Sequence, residues 1–334
     1  MDQRKVTMRD VAREAGVSQM TVSAVLGGKS AQSRISEPTQ VRVIEAAREM
    51  GYQPNAIARS LRRRSTNVIG FYSGYGYLDT HNAFLAELIS GLQAGGERHR
   101  KDLLLHGVYR GSSVDDIYAE LMDGRIDGLV LNAGPQDPLA DRLAASHLPV
   151  VALVDAIPTV PSVVAADAQG SAYLAAHLAE KGHSRVLYRY SNHRYLVSAS
   201  RRREAFLQRA AEYGMEVRLW EDDVTCPANI AGLDWFHEAP GIRPTAVVCW
   251  NDLAAYDLLT QCRKYGLRTP EDLAVVGFDG VPTPFDFVWR LTTVRAPWAE
   301  VARVAVDLLI AQIQGEPVLQ ETELPVELVC GDTG

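Results

Sequence analysis

Gln19, Met20, Thr21 and Ala24 fall on one face of a short helical stretch and carry small or uncharged groups. That set suits the edges of nucleic-acid bases: a Gln amide can bond adenine through two atoms, and Met or Ala can pack on a thymine methyl. Further on, Arg59 and the run Arg62–Arg64 supply the positive charge that neutralises phosphates. Residues 1–65 hold 12 Lys/Arg and 6 Asp/Glu, a balance of +6 that leaves −13 on the rest of a chain whose net charge is −7. A basic head on an acidic body is the electrostatic footprint of a nucleic-acid-binding module. Enzyme motifs are not found: there is no G-x-G-x-x-G after a strand, no P-loop, no G-x-S-x-G elbow and no H-E-x-x-H. The eight histidines are scattered, and His177 and His183 are not at a helical ligand spacing. Cys226, Cys249, Cys262 and Cys330 form no C-x-x-C pair and read as reduced thiols. No metal and no cofactor is expected.

The elements that must position the base-facing residues are legible around them. Thr7 and Asp10 have the spacing of a capping box for a first helix. Ala15-Gly16-Val17 supplies a break, with Gly16 suited to a positive φ. Ser18 then caps a second helix whose Val22, Val25 and Leu26 share a face with Val11 and Ala12. This is a helix-turn-helix pattern, whose second helix enters the major groove. An ordinary αα-hairpin is the alternative, and the uncharged exposed face of the second helix argues against it. A third helix is expected from Ser36 through Pro38, Val41, Ile44 and Ala47 to Met50-Gly51. A short helical pattern, residues 54–61, precedes the arginine run.

From Thr66 short β-branched runs alternate with amphipathic helices, which implies parallel sheets covered on both faces. Strands are expected near 68–73, 103–108, 128–132 and 150–155, with a crossing to a second lobe around Ser162–Ala166. The second lobe repeats the rhythm until Leu291–Val294, read as a return crossing, and a terminal strand covers Leu324–Val329. The expected division is 1–53 for the headpiece and 54–65 for a hinge and basic linker. The first lobe takes 66–161 and 293–316, and the second takes 162–292 and 317–334. No apolar leader and no run of membrane-spanning length is visible, so a cytoplasmic protein with no membrane contact is expected.

The order D-V-A-x-x-A-G-V-S-x-x-T-V-S, followed by E-A-A-x-x-x-G-Y-x-P-N-x-x-A-x-x-L, resembles the headpiece of the lactose-repressor (LacI/GalR) family of bacterial regulators. Residues 251–295, from N-D-L-A-A-Y-D-L-L to L-T-T-V-R, resemble the body of the same family. The resemblance implies an all-α helix-turn-helix headpiece plus a two-lobed α/β effector domain, like periplasmic binding proteins of type I, with parallel sheets. It places Gln19, Met20 and Ala24 at bases, and Thr7, Ser18, Thr21 and Ser23 among the DNA-facing residues. It gives Leu61 the role of a minor-groove wedge, with Asn55, Ala58 and Arg59 in the hinge helix beside it. In the cleft between lobes it implies effector contacts from Phe84, Asp155, Arg202, Asn251 and Asp279, and the chain's own aromatic residues Tyr75 and Trp250 are expected beside them. The chain departs from the family's pattern at Ala24, where Arg is common, and at Gly280, where Asp is common. The loop after Tyr190 and the tyrosines Tyr72, Tyr75 and Tyr77 also differ from it.

Plain structural roles compete at several of these positions. Asp155 and Asp279 could cap a turn or helix, Trp250 could belong to the core, and Leu61 could be a core leucine. The expectation is an allosteric transcriptional regulator, a repressor of pseudo-palindromic double-stranded operator DNA, controlled by a carbohydrate. Control by a nucleobase or other metabolite, or dependence on a corepressor, is the alternative. A sugar-binding protein that does not bind DNA is a further one. A homodimer is expected because no heptad tail follows the last strand and because Leu85, Leu88 and Leu92 could supply an apolar surface.

Overall fold

The computed structural model describes residues 6–27, 35–53, 60, 65–75, 82–107, 113–191, 196–222, 230, 234–239, 241–282 and 289–334. They form two compact units, 1–66 and 67–334.

The first unit contains three helices, α1 (Met8–Glu14), α2 (Gln19–Leu26) and α3 (Glu37–Glu49). The Thr7 hydroxyl accepts from the Asp10 N–H while the Asp10 carboxylate accepts from the Thr7 N–H at 3.0 Å, closing the expected capping box. Gly16 turns the chain at φ +63°, and the Ser18 hydroxyl accepts from the Thr21 N–H at 3.1 Å. Val11, Ala12, Ala15, Val22, Val25, Val43, Ala46 and Ala47 make the core. The third helix differs from its expected register. Val41 and Ile44 are 46% and 53% exposed, and Val43 and Ala46 take the buried stripe instead. Ser36 begins α3 without a side-chain cap to its backbone; its hydroxyl pairs with that of Thr39 at 2.9 Å.

The second unit contains two six-stranded sheets. The first holds β1 (Val68–Ser73), β2 (Asp102–Leu105), β3 (Gly128–Asn132), β4 (Val150–Leu153), β5 (Ser162–Ala165) and β11 (Glu321–Leu324), in the order β11-β5-β4-β3-β1-β2. The second holds β6 (Arg185–Ser191), β7 (Glu216–Asp222), β8 (Ala246–Cys249), β9 (Ala274–Asp279), β10 (Thr292–Arg295) and β12 (Glu327–Val329), in the order β12-β10-β9-β8-β6-β7. All ladders are parallel except β10 with β12. The inner strands β3, β4, β5, β8 and β9 are buried on both faces and read as apolar runs, whereas the outer strands β2, β11 and β12 are partly exposed. Leu129 and Leu131 face one core while Val130 faces the other; Val247 and Cys249 alternate in the same way with Val248.

The helices of the second unit are α4 (Ala83–His99), α5 (Val114–Leu121), α6 (Pro138–Ala144), α7 (Asp167–Glu180), α8 (Val197–Glu212), α9 (Asp252–Lys264) and α10 (Trp298–Ile313). A Cβ on Gly91 of α4 would lie 1.9 Å from the Ala299 carbonyl, and one on Gly95 would lie 2.7 Å from Val306. Backbone contact between α4 and α10 is therefore direct. Leu85, Leu88 and Leu92 are buried in this core, so they offer no surface for a second copy. Between β7 and β8 the described residues include a 3-10 turn, Asp234–His237.

Three crossings join the sheets, each one strand past the expected domain border. Ser162–Ala165 is still a first-sheet strand, paired with β4 and β11, so the first crossing comes at Ala166. Thr292–Arg295 pairs with β9 in the second sheet, so the return comes at Ala296-Pro297. Glu321–Leu324 belongs to the first sheet and Glu327–Val329 to the second, with the third crossing between them. The expected borders at 162, 293 and 317 are thus each corrected by one strand. A run buried on both faces carries no mark of the sheet it joins. Among the described residues, no helix is long and apolar enough to cross a membrane.

Candidate functional site

The DNA-facing candidates in the first unit lie on α2 and its cap. Gln19 and Met20 point to solvent, Met20 with 83% of its surface exposed. Thr21, Ser23 and Ala24 are half-buried beside them. The opposite side of α2 carries Val22 and Val25 into the core, so packing of the headpiece fixes which face is presented. Thr7 and Ser18 are exposed, and their side chains are engaged as caps that orient the helix ends. An exposed methionine costs unburied apolar area in water, and a thymine methyl would cover it. Asn55, Ala58, Arg59 and Leu61 lie outside the described residues, as do the arginine run and the segment after Gly27.

In the second unit the C-terminal strand ends of both sheets bring the effector candidates around Arg202, which is 4% exposed. Its Nε donates to Asp167 at 2.7 Å, and its Nη1 donates to Asp279 at 3.2 Å and to the Trp250 carbonyl at 3.1 Å. The guanidinium lies 3.8 Å from the centre of the Phe278 ring and 5.8 Å from that of Trp298. Burial works against its charge, but Asp167 and Asp279 outweigh that and hold its pKa above the ordinary value.

Asp155, fully buried, joins the two lobes. Its Oδ2 accepts from the Tyr75 hydroxyl at 2.5 Å and its Oδ1 from the Ser198 N–H at 2.6 Å. Ser198 stands in the first turn of α8, whose N-cap residue Leu196 supplies no side-chain bond. A first-lobe carboxylate therefore caps a second-lobe helix. Burial raises the pKa of Asp155, and the bonds to Tyr75 and Ser198 oppose the rise. Burial also pushes Tyr75 upward, reinforced by the charge of Asp155.

Four buried carboxylates, Asp155, Asp167, Asp252 and Asp279, feel the charge of Arg202. Burial pushes Asp167 up to about 6 and raises Asp252 and Asp279 as well. Phe84 meets Trp298 edge to face at 5.0 Å. Among the described residues, the buried indole N–H groups of Trp250 and Trp298 have no hydrogen-bond partner. The Asn251 Oδ1 accepts from the Ala254 N–H at 2.8 Å, so its side-chain oxygen is engaged as the cap of α9. Trp250 is half-buried and packs against the core beneath β8, so its core role holds in part.

Tyr75, Phe84, Asp155, Arg202, Trp250 and Asp279 are thus tied into one network with partners the sequence reading passed over. Asp167 and Trp298 are the chief of these. Both open a helix within three residues of a strand's C-terminal end, close to the strand-end positions of Asp155 and Asp279. Tyr72 does not join them; it is buried on the far face of the first sheet, near His106. Tyr77 is outside the described residues. Among the described residues no cluster of His, Cys, Asp or Glu has the geometry of a metal site.

Comparison with known proteins matches residues 7–55 to the model of bacterial regulatory proteins of the lacI family. Residues 175–333 match a periplasmic binding protein-like domain. The HTH-type transcriptional repressor PurR of Vibrio cholerae is 31% identical over 98% of this chain and 97% of its own. That of Photobacterium profundum is 30% identical over 92% of each. The crystal structure of the lac repressor dimer bound to operator and the anti-inducer ONPF superposes with a TM-score of 0.83 at 26% identity, covering 99% of both chains. The transcriptional regulator CelR–cellobiose complex has the same fold at a TM-score of 0.70 and 24% identity, covering 99% of this chain and 100% of that one. Full-length likeness to repressors, together with the helix-turn-helix and two-lobed body, decides between regulator and enzyme: the chain belongs to the LacI family and is a DNA-binding transcriptional repressor.

Proposed function

We propose that this repressor answers to a neutral sugar held between the lobes of its body, and that it reads a pseudo-palindromic operator as a cytoplasmic homodimer. One observation carries the choice of effector. Around Arg202, four buried carboxylates outnumber one guanidinium among the described residues. Carboxylates accept hydrogen bonds and repel anions, so the site favours a ligand with many hydroxyl donors and no phosphate. The indole N–H groups of Trp250 and Trp298, without a partner among the described residues, suit hydroxyl or ring oxygens. The rings of Phe84 and Trp298 suit the C–H face of a pyranose or furanose. Asp155 and Arg202 touch elements of both lobes, so a ligand that competes for them shifts the balance between open and closed arrangements. The hinge roles of Asn55, Ala58, Arg59 and Leu61 remain part of this reading.

A thermal-shift panel of neutral mono- and disaccharides, their phosphates and free nucleobases tests the effector class. A neutral sugar should raise the melting temperature, by the mass-action stabilisation any native-state ligand gives. A rise with phosphosugars alone would overturn the charge argument. A rise with nucleobases alone would favour the second reading, a planar base against the aromatic wall of Phe84 and Trp298. Sedimentation should give about twice the 36.6 kDa chain mass; a monomer that still binds operator tightly would remove the dimer.

A further inference from the structure

Asp252 enters the effector reading above only as one of four charges, with no ligand contact assigned to it, yet only 2% of its surface is exposed. It opens α9, directly after the capping residue Asn251. Its Oδ1 accepts from the Thr293 hydroxyl of β10 at 2.5 Å. Its Oδ2 accepts from the Gly280 N–H at 2.8 Å, and the Val281 N–H also bonds the carboxylate. A Cβ on Gly277 would come within 2.4 Å of Asp252 Oδ1, so glycine at 277 leaves the carboxylate its room.

The turn it holds is strained. Asp279 has φ +130° and Gly280 φ +65°. The first is a conformation an aspartate keeps only when its surroundings impose it. Gly280 has no alternative: a Cβ there would lie 2.4 Å from Arg295 Cα. On the far side, the Ala296 N–H donates to the Asp279 carbonyl at 3.0 Å. The turn is clasped between the crossing strand and the Asp252 carboxylate.

We infer that Asp252 is a positioning residue for Asp279, fixing the Asp279-Gly280 turn from beneath and tying it through Thr293 to the strand that leads back to the first lobe. The inference rests on the reading of Asp279 as an effector-facing group. The charged groups around Asp252 are Asp279 on β9 and Arg202 on α8, with Asp167 on α7 reached through Arg202. Asp279 is thereby given both a fixed aim and a like-charged neighbour.

Amide hydrogen exchange on the full chain, without ligand, tests the clasp. In Asp252→Asn the Gly280 and Val281 amides should exchange about tenfold faster, because a charge-assisted acceptor is replaced by a neutral one. Val247 and Val248 of β8 should stay as protected as in the wild type. Thr293→Val, which keeps the carboxylate, should give a smaller rise at the same two amides and serves if the first variant does not fold. A carbon-13 carboxyl titration supplies a readout that a purely structural role would not move: Asp279 should titrate at lower pH in Asp252→Asn, since the like charge is gone. Unchanged exchange at Gly280 and Val281 in the folded variants, or an unmoved Asp279 titration, would overturn the inference. Neither outcome touches the effector assignment, which fails separately if Asp279→Ala keeps the wild-type response to the sugar panel.

Discussion

The two regions proposed to carry this repressor's work are built in opposite ways. On α2 the base-facing candidates are neighbours in sequence, from Gln19 to Ala24, and Gln19 and Met20 stand in solvent. Around Arg202 the interacting residues come from Tyr75 to Trp298 and most are out of water. The first surface has its partner still to meet, so each side chain can change with little effect on the fold. The second is already an ion-pair network, where function and stability draw on the same atoms. Recognition can therefore drift quickly in the head, while the cleft must change several residues together.

The largest test of this contrast is Arg202→Ala. It leaves Asp167 and Asp279 buried without their cation and should cost the body about 3–5 kcal/mol. The five tryptophans, at 220, 235, 250, 289 and 298, all belong to the body. Urea unfolding followed by indole fluorescence therefore reports on that unit, and its midpoint should fall. An unchanged midpoint would mean that the network carries no stability.

Gln19→Ala comes next. It should relax base preference at one symmetric position, costing roughly 1–3 kcal/mol there, with the urea midpoint of the body unmoved. A site selection that returned the wild-type motif would show that another face of α2 reads the operator. Thr7→Ala should cost the headpiece about 1 kcal/mol by removing half of the capping box. Operator affinity should weaken for all sequences alike, and a change in sequence preference would contradict a purely capping role.

The smallest effect is one of pH. Burial raises Asp167 to about 6, so the folded chain binds its proton more tightly than the unfolded chain does. Stability from this group therefore rises as pH falls from 7 to 6, by about 0.3 kcal/mol for one such carboxyl. Buried His106 and His183 have lowered pKa values and pull the other way. The comparison is thus wild type against Asp167→Asn: the wild type should gain relative to the variant between pH 7 and 6. No gain would place the Asp167 carboxyl outside that window. The α2 segment Gln19–Leu26 has no titratable side chain, so its base preference should ignore the same step.

The head was legible because its signals are local. Capping spacing, a turn glycine and a short apolar stripe decide α1 and α2 without help from distant residues. Register on α3 was missed because Val41 and Val43 fit the helical period equally well, and only packing against α1 and α2 selects Val43. In the body, alternating runs disclose the elements, and strand ends disclose Asp155 and Asp279. Pairing partners are long-range, so the sequence could not tell that Ser162–Ala165 pairs with Glu321–Leu324. Nor could it show that Arg202 is held by Asp167, or that Asn251 spends its side-chain oxygen on a helix cap.

The third crossing bears on how the polypeptide comes off the ribosome. Strands β11 and β12 are the outer strands of the two different sheets, and nine consecutive residues, Glu321 to Val329, supply both. Until that segment is made, β5 and β10 each present an open row of backbone donors and acceptors, the surface on which nascent chains pair wrongly. The first sheet is completed only five residues before the second. A nonsense codon anywhere before residue 321 strips both sheets at once.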